Sequence, residues 1–151
     1  MKPTLLLAAA LVAIPVTAIA QQDAPAAAPT TPADYHRLRE ARMGQGGGAL
    51  GALKRVADSG GDIAAEAARI QILVQLGNDL PTLFPAGSGE GTEASPRVWS
   101  DPAGFQQAVG RFQTATRALA TASTAGDRAA FLTAWTEVRA SCGGCHDNFR
   151  E

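Results

Sequence analysis

The chain is predicted to be all-α, an antiparallel four-helix bundle. Three observations carry that expectation. Four segments repeat apolar residues at alternating steps of three and four, the period of a helix face. Each opens on a recognisable start signal. Alanine is abundant and no run alternates with the period of a strand, while aromatic residues make up only 5% of the chain. Such a composition suits close-packed helices that gather around some large apolar body other than their own side chains.

The N-terminal twenty residues read as a secretory signal. Lys2 supplies a short positive region, Leu5 to Ile14 an apolar core interrupted by Pro15, and Ala18-Ile19-Ala20 a small-residue cleavage site. The apolar run is too short for a membrane span, so the mature protein is expected to begin at Gln21 without one. Export points to the bacterial periplasm. Loss of Lys2 makes the formal net charge one unit more negative than the −1 of the whole chain, and no basic block suggests nucleic acid as a partner. Gln21 to Ala33 is rich in Pro and Ala and lacks any apolar period, so residues 21–33 are read as a disordered leader. Residues 34–151 remain as one domain of ordinary size.

The first helix is expected to start at Thr31-Pro32, a cap followed by proline at the first helical position, and to run to Ala57 before Ser59-Gly60-Gly61. Arg39, Met43, Gly46, Leu50 and Leu53 share its inner face. Gly44 and Gly46 to Gly48 oppose the assignment, at about 1 kcal/mol each relative to alanine. They imply either a kink or a frayed break, or a place where the backbone closely approaches a flat ligand. The second helix is expected from Asp62 to just before Pro81, with Ile63, Ala67, Ile70, Val74 and Gly77 inward. A crossover rich in Gly and Pro, Leu83 to Trp99, follows. Loops of that length in a small domain often serve function.

Asp101-Pro102 caps the third helix, lined by Phe105, Val109, Phe112, Thr116 and Leu119. A short Ala-Gly turn leads to Asp127, cap of the fourth. There Phe131, Trp135, Val138, Cys142, Cys145 and Phe149 step four, three, four, three, four. Two cysteines thus occupy the apolar seam itself.

Cys142-Gly-Gly-Cys145-His146 contains both cysteines of the chain and one of its two histidines. Two thiols three residues apart can add to the two vinyl groups of one haem, and the adjoining imidazole then faces the iron of that same haem. Zinc would need four ligands, and only His36 remains to be recruited. A thioredoxin-like pair would begin a helix beside a βαβ unit. A disulfide would leave His146 unexplained and close a very small loop. One covalently attached haem c, with its iron, is the expected cofactor, held within the bundle near the C-terminal helix. Nothing in the chain suggests a second cofactor, a substrate domain or an enzyme.

From Tyr35 to Arg150 the chain resembles the class II cytochromes c, the family of cytochrome c′ and cytochrome c-556. The resemblance rests on four elements in the family's order. They are Arg39 with Met43 in helix one; Leu80-Pro81-Thr82-Leu83-Phe84-Pro85-Ala86-Gly87-Ser88; Ala94-Ser95-Pro96-Arg97-Val98-Trp99; and Cys142 to His146 with Phe149 and Arg150. It implies thioether links at Cys142 and Cys145, and His146 as proximal ligand. It also implies Arg150 beside the proximal haem face, Arg39 near the propionates, and Trp99 at the haem edge.

The sixth iron position is the functional fork. With Met43 as ligand, as in cytochrome c-556, the protein is a one-electron carrier between periplasmic redox partner proteins. This is the leading expectation, because Met43 is the single methionine left after export and thioether ligation favours reduced iron. The alternative is a five-coordinate cytochrome c′ that binds NO, CO or another small gas, with Met43 only packing. His36, seven residues before Met43, is a rival ligand, although a surface position at the helix start explains it far better. Family members often form homodimers through helices one and two, which the resemblance extends to this chain.

Overall fold

Thr31 begins the first helix with a reciprocal cap. Its hydroxyl accepts from the Asp34 N–H at 3.2 Å, and the Asp34 carboxylate accepts from the Thr31 N–H at 3.0 Å. The structure, a computed structural model, describes residues 28–151. The signal at 1–20 and the leader as far as residue 27 lie outside the described residues. Helix α1 (Pro32–Asp58) takes in Pro32 and Ala33, which the sequence division had assigned to the leader.

Helix α1 continues unbroken through Gly44, Gly46, Gly47 and Gly48, so the expected kink or break does not occur. Packing overrides propensity here. Gly46 is buried, and a Cβ added to it would come within 2.7 Å of Leu76 Cδ2. It is the point where the second long helix presses on the first.

Asp62 does not start a helix. Its Oδ1 accepts from the Ala64 N–H at 2.9 Å, a 3₁₀ turn spans Ala64–Glu66, and α2 occupies Ala67–Asp79. That turn resets the helical phase, because 3₁₀ residues advance by three per turn. The buried face of α2 is therefore Ile70, Leu73, Leu76 and Gly77. Ala67 is exposed and Val74 only half-buried, a correction to the expected stripe. Ile63 is still core, but from ahead of the turn.

Within the crossover lies one short helix, α3 (Arg97–Ser100), too brief to leave a period in the sequence. Asp101 and Asp127 then cap α4 (Pro102–Thr124) and α5 (Arg128–Phe149), accepting from the Gly104 and Ala130 N–H groups at 3.0 Å each. Gly126 links them with φ +66°, a left-handed conformation that glycine adopts without strain. The predicted face of α4 is fully buried, and α4 packs along the length of α5. The α5 seam divides. Phe131, Val138 and Phe149 are buried, whereas Trp135, Cys142 and Cys145 are only partly covered. Helices α1 and α5 touch sparsely, although the Trp135 Nε1–H donates to the Leu50 carbonyl at 2.9 Å.

Long-range ties fix the crossover. Arg39 is 5% exposed. Its Nη1 donates to the Leu83 carbonyl at 3.0 Å and to Ser88 Oγ at 2.9 Å, and its Nη2 donates to the Ser88 carbonyl at 2.6 Å. The guanidinium also lies 4.9 Å from the centre of the Phe84 ring. The Trp99 Nε1–H is shared between the Phe84 and Pro85 carbonyls at 3.1 Å each. At the far end, the Ser95 N–H donates to the Phe149 carbonyl at 3.0 Å and the Glu151 N–H to the Glu93 carbonyl at 2.9 Å. The crossover is thereby joined to the last turn of α5.

Two substitutions test this account. Leu119→Ala, at a side chain with no exposure, should cost about 2–5 kcal/mol in urea unfolding. Arg39→Met should cost about 2–4 kcal/mol, because it strands the buried crossover carbonyls. It should also expose the segment between Leu83 and Ser95 to limited proteolysis.

Candidate functional site

Cys142, Cys145 and His146 stand at i, i+3 and i+4 on α5, a spacing that brings all three to one side of a helix. Both cysteines are free thiols. Burial pushes each thiol up from its ordinary value. For Cys142 the neighbouring Cys145 adds to the rise, while Arg111 opposes it at Cys145. Burial pushes the His146 imidazole down and the Arg150 charge pushes the same way, against a smaller pull from Asp147. The ring is therefore neutral at pH 7, the form that ligates a metal.

Two adjoining cavities open in front of this trio. The inner one, about 190 Å³, lies among all four long helices. Met43, Gly46, Gly47 and Leu50 of α1 form one wall, and Leu73 and Leu76 of α2 another. Ala108, Val109 and Phe112 of α4 close it opposite Cys142. The outer one, about 330 Å³, is walled by Phe84, Phe105 and Phe149, with His36, Arg39, Glu40, Glu93 and Arg150 around it. Met43, Leu80, Cys145 and His146 line both. A wider depression of about 940 Å³ on α4 and α5 holds neither thiol nor imidazole, so size alone does not locate the site.

Six of the residues singled out from the sequence thus meet at one place: Cys142, Cys145, His146, Met43, Arg39 and Arg150. Trp99 stands apart. It lines neither cavity, and its ring packs on Gly89, where an added Cβ would come within 2.3 Å of Cη2. Arg39 lines the outer cavity, but its donors are engaged with Leu83 and Ser88, not turned outward for an anion. Arg150 is held by Glu93, whose Oε2 accepts from Nε at 2.7 Å. His36 borders the outer cavity and lies 3.7 Å from Glu40.

Sequence reasoning passed over Leu73, Leu76 and Glu93. Moving the later positions of the α2 stripe back by one residue would have found the leucines. Nothing local marks Glu93.

The walls fit a flat, mostly hydrocarbon macrocycle. Apolar side chains from four helices surround a cleft where α1 and α5 stand apart, the thiols enter from one side, and charge gathers at the outer cavity. Among the described residues no cluster of three or more His, Cys, Asp or Glu side chains could hold a bare metal ion.

Comparison with known proteins agrees. The family model described as Cytochrome C′ matches residues 34–150. Cytochrome c′ of Rubrivivax gelatinosus is 45% identical over 82 residues, which span 52% of this chain and 64% of that protein. Cytochrome c-556 of Agrobacterium fabrum is 33% identical over 115 residues, 74% of this chain and 77% of that one. Among solved structures, a nitric oxide complex of a cytochrome c′ variant from Alcaligenes xylosoxidans superposes with a TM-score of 0.76. It is 30% identical, covering 82% of this chain and 98% of that one. The helical bundle, the thiol–thiol–imidazole face of α5 and the apolar cleft before it therefore have one explanation: the chain belongs to the cytochrome c′ family, class II c-type cytochromes with covalently attached haem c.

Proposed function

We propose that the protein is an exported monohaem cytochrome whose iron binds a small neutral gas such as NO, with His146 as the protein ligand and Met43 packing against the opposite side. This reverses the order in which the sequence alone ranks the two readings. One observation carries it. The inner cavity wall facing His146 is hydrocarbon and thioether: Met43, Leu50, Leu73, Leu76, Leu80 and Phe112. None of these six side chains can donate a hydrogen bond, so a polarised ligand such as bound O₂ gains nothing from them, whereas NO or CO needs no donor. The nitric oxide complex of the Alcaligenes xylosoxidans relative supports the same reading.

Bound haem supplies the iron that takes the gas. The chain supplies everything else. Cys142 and Cys145, one helical turn apart on α5, would hold the group through thioether bonds. Desolvation keeps the His146 ring neutral and able to donate its lone pair. The leucines of α2 and Phe112 of α4 exclude water from the gas side. Arg150 and Glu93, paired across the outer cavity, hold the crossover to the end of the ligand-bearing helix.

A second reading, the electron carrier, has its own observation: Met43 lines both cavities together with His146. In that reading its thioether takes the sixth position, as the resemblance to cytochrome c-556 implies, and the protein serves periplasmic redox partners.

Optical spectra separate the two. Gas binding predicts high-spin ferric haem, ready CO uptake by the reduced protein, and an unchanged spin state in Met43→Ala. A low-spin spectrum with a far-red methionine–iron band that Met43→Ala abolishes would establish the carrier instead. Replacing Cys142 and Cys145 together by Ala should eliminate covalent haem; a normal covalent-haem signal in that variant would overturn both readings.

A further inference from the structure

The two cavities in front of α5 differ in where they carry charge. The inner one has no Asp, Glu, Lys or Arg in its wall. The outer one is bordered by His36, Arg39 and Glu40 of α1, Glu93 of the crossover, and His146 and Arg150 at the end of α5. Haem c carries two carboxylates, and burying either in the inner cavity would strip its hydration without replacement. The acidic edge of the group therefore belongs to the outer cavity.

The permanent cations there are already engaged. Arg39 is buried and donates to the Leu83 carbonyl and to both oxygens of Ser88. Arg150 is paired with Glu93. His36 differs from both. It is half-buried, and the Glu40 carboxylate lies 3.7 Å from its Nε2, beyond hydrogen-bond reach. His146 is committed to iron, so His36 is the other of the chain's two histidines. Imidazole is the side chain whose charge ordinarily changes between pH 5 and 8.

We infer that His36, backed by Glu40, is a proton-binding site coupled to the oxidation state of the haem: it takes up a proton as the iron gains an electron and releases it on reoxidation. One electron from an external one-electron donor makes the bound group more negative by one charge. His36 takes one proton from water and passes from imidazole to imidazolium. By Coulomb's law the more negative group favours the imidazolium, so the potential is higher in acid and falls as pH rises. Glu40 favours the same charged form. Arg39 opposes it, and Arg150 is offset by its pairing with Glu93. Proton coupling requires the haem but no particular sixth ligand, so it serves gas binder and carrier alike.

The coupling is read by spectroelectrochemical titration of the holoprotein between pH 5 and 8 in wild type, His36→Gln, Glu40→Gln and Arg37→Gln. Covalent-haem content and the ferric spectrum are recorded for each. In wild type, proton affinity should differ about tenfold between the two oxidation states, a fall in potential of about 59 mV across the range. That fall should be absent from His36→Gln and displaced to lower pH in Glu40→Gln. Arg37→Gln should keep it, since Arg37 pairs with Asp34 and does not line the cavity. Proton NMR of the His36 ring supplies a second readout: its titration midpoint should lie at higher pH in reduced than in oxidised protein. A fall of wild-type size in His36→Gln would assign the proton to the haem carboxylates or Glu93 and overturn the inference. Equal His36 midpoints in the two oxidation states would overturn it too. Should His36→Gln fail to incorporate haem, the wild-type NMR midpoints decide. Spin state and CO uptake test the sixth position separately, and neither outcome changes what these midpoints decide.

Discussion

An apolar seam that its own helices do not fill is the constraint on which the rest of this structure depends. Along α5 the first residues of the seam, Phe131 and Val138, are sealed by α4. Farther along, Cys142 and Cys145 face a cleft that no side chain of α1 crosses. Covering that much hydrocarbon surface is worth roughly 25 cal/mol per Å², and few aromatic residues are available to do it. A flat macrocycle covers it from both faces at once. The separation of α1 from α5 and the leucines of α2 leave room for that body.

The crossover answers a second need created by the first. A cleft open at one end requires a rim, and the rim is built from a segment with almost no regular structure. Arg39 therefore spends a buried guanidinium on the Leu83 and Ser88 carbonyls, and Trp99 ties off the next two, Phe84 and Pro85. Glu93 and Ser95 fasten the other end to Phe149, Arg150 and Glu151. The segment that frames the outer cavity is thus joined to the helix carrying His146, so ligand geometry and rim geometry are coupled through one short antiparallel bridge.

In the proposed reading the choice between carrier and gas binder turns on Met43 of α1. Met43 is long, flexible and polarisable, able to pack or to ligate. The leucines of α2 supply a dry wall without hydrogen-bond donors. In the proposed reading this wall suits an uncharged diatomic, and Met43 packs without ligating.

What the sequence determined by itself is everything governed by spacing over a few residues. The caps at Thr31, Asp101 and Asp127, the buried face of α4 and the placement of Cys142, Cys145 and His146 on one side of α5 are periodic or local, and periodicity survives without tertiary knowledge. What only the tertiary structure decided depends on contacts between distant segments. The guanidinium of Arg39 goes to carbonyls 44 and 49 residues away, and Arg150 finds Glu93 at a separation of 57. Asp62 makes a turn and not a helix start, because the phase of α2 is set by burying Leu73 and Leu76 against its neighbours. Gly46 and Gly47 are adjacent and identical in sequence and both line the inner cavity, yet only Gly46 is pressed by Leu76. The CxxCH motif announces the haem, but which residues of α1 meet it is a matter of helix rotation, and rotation is fixed only when the bundle closes.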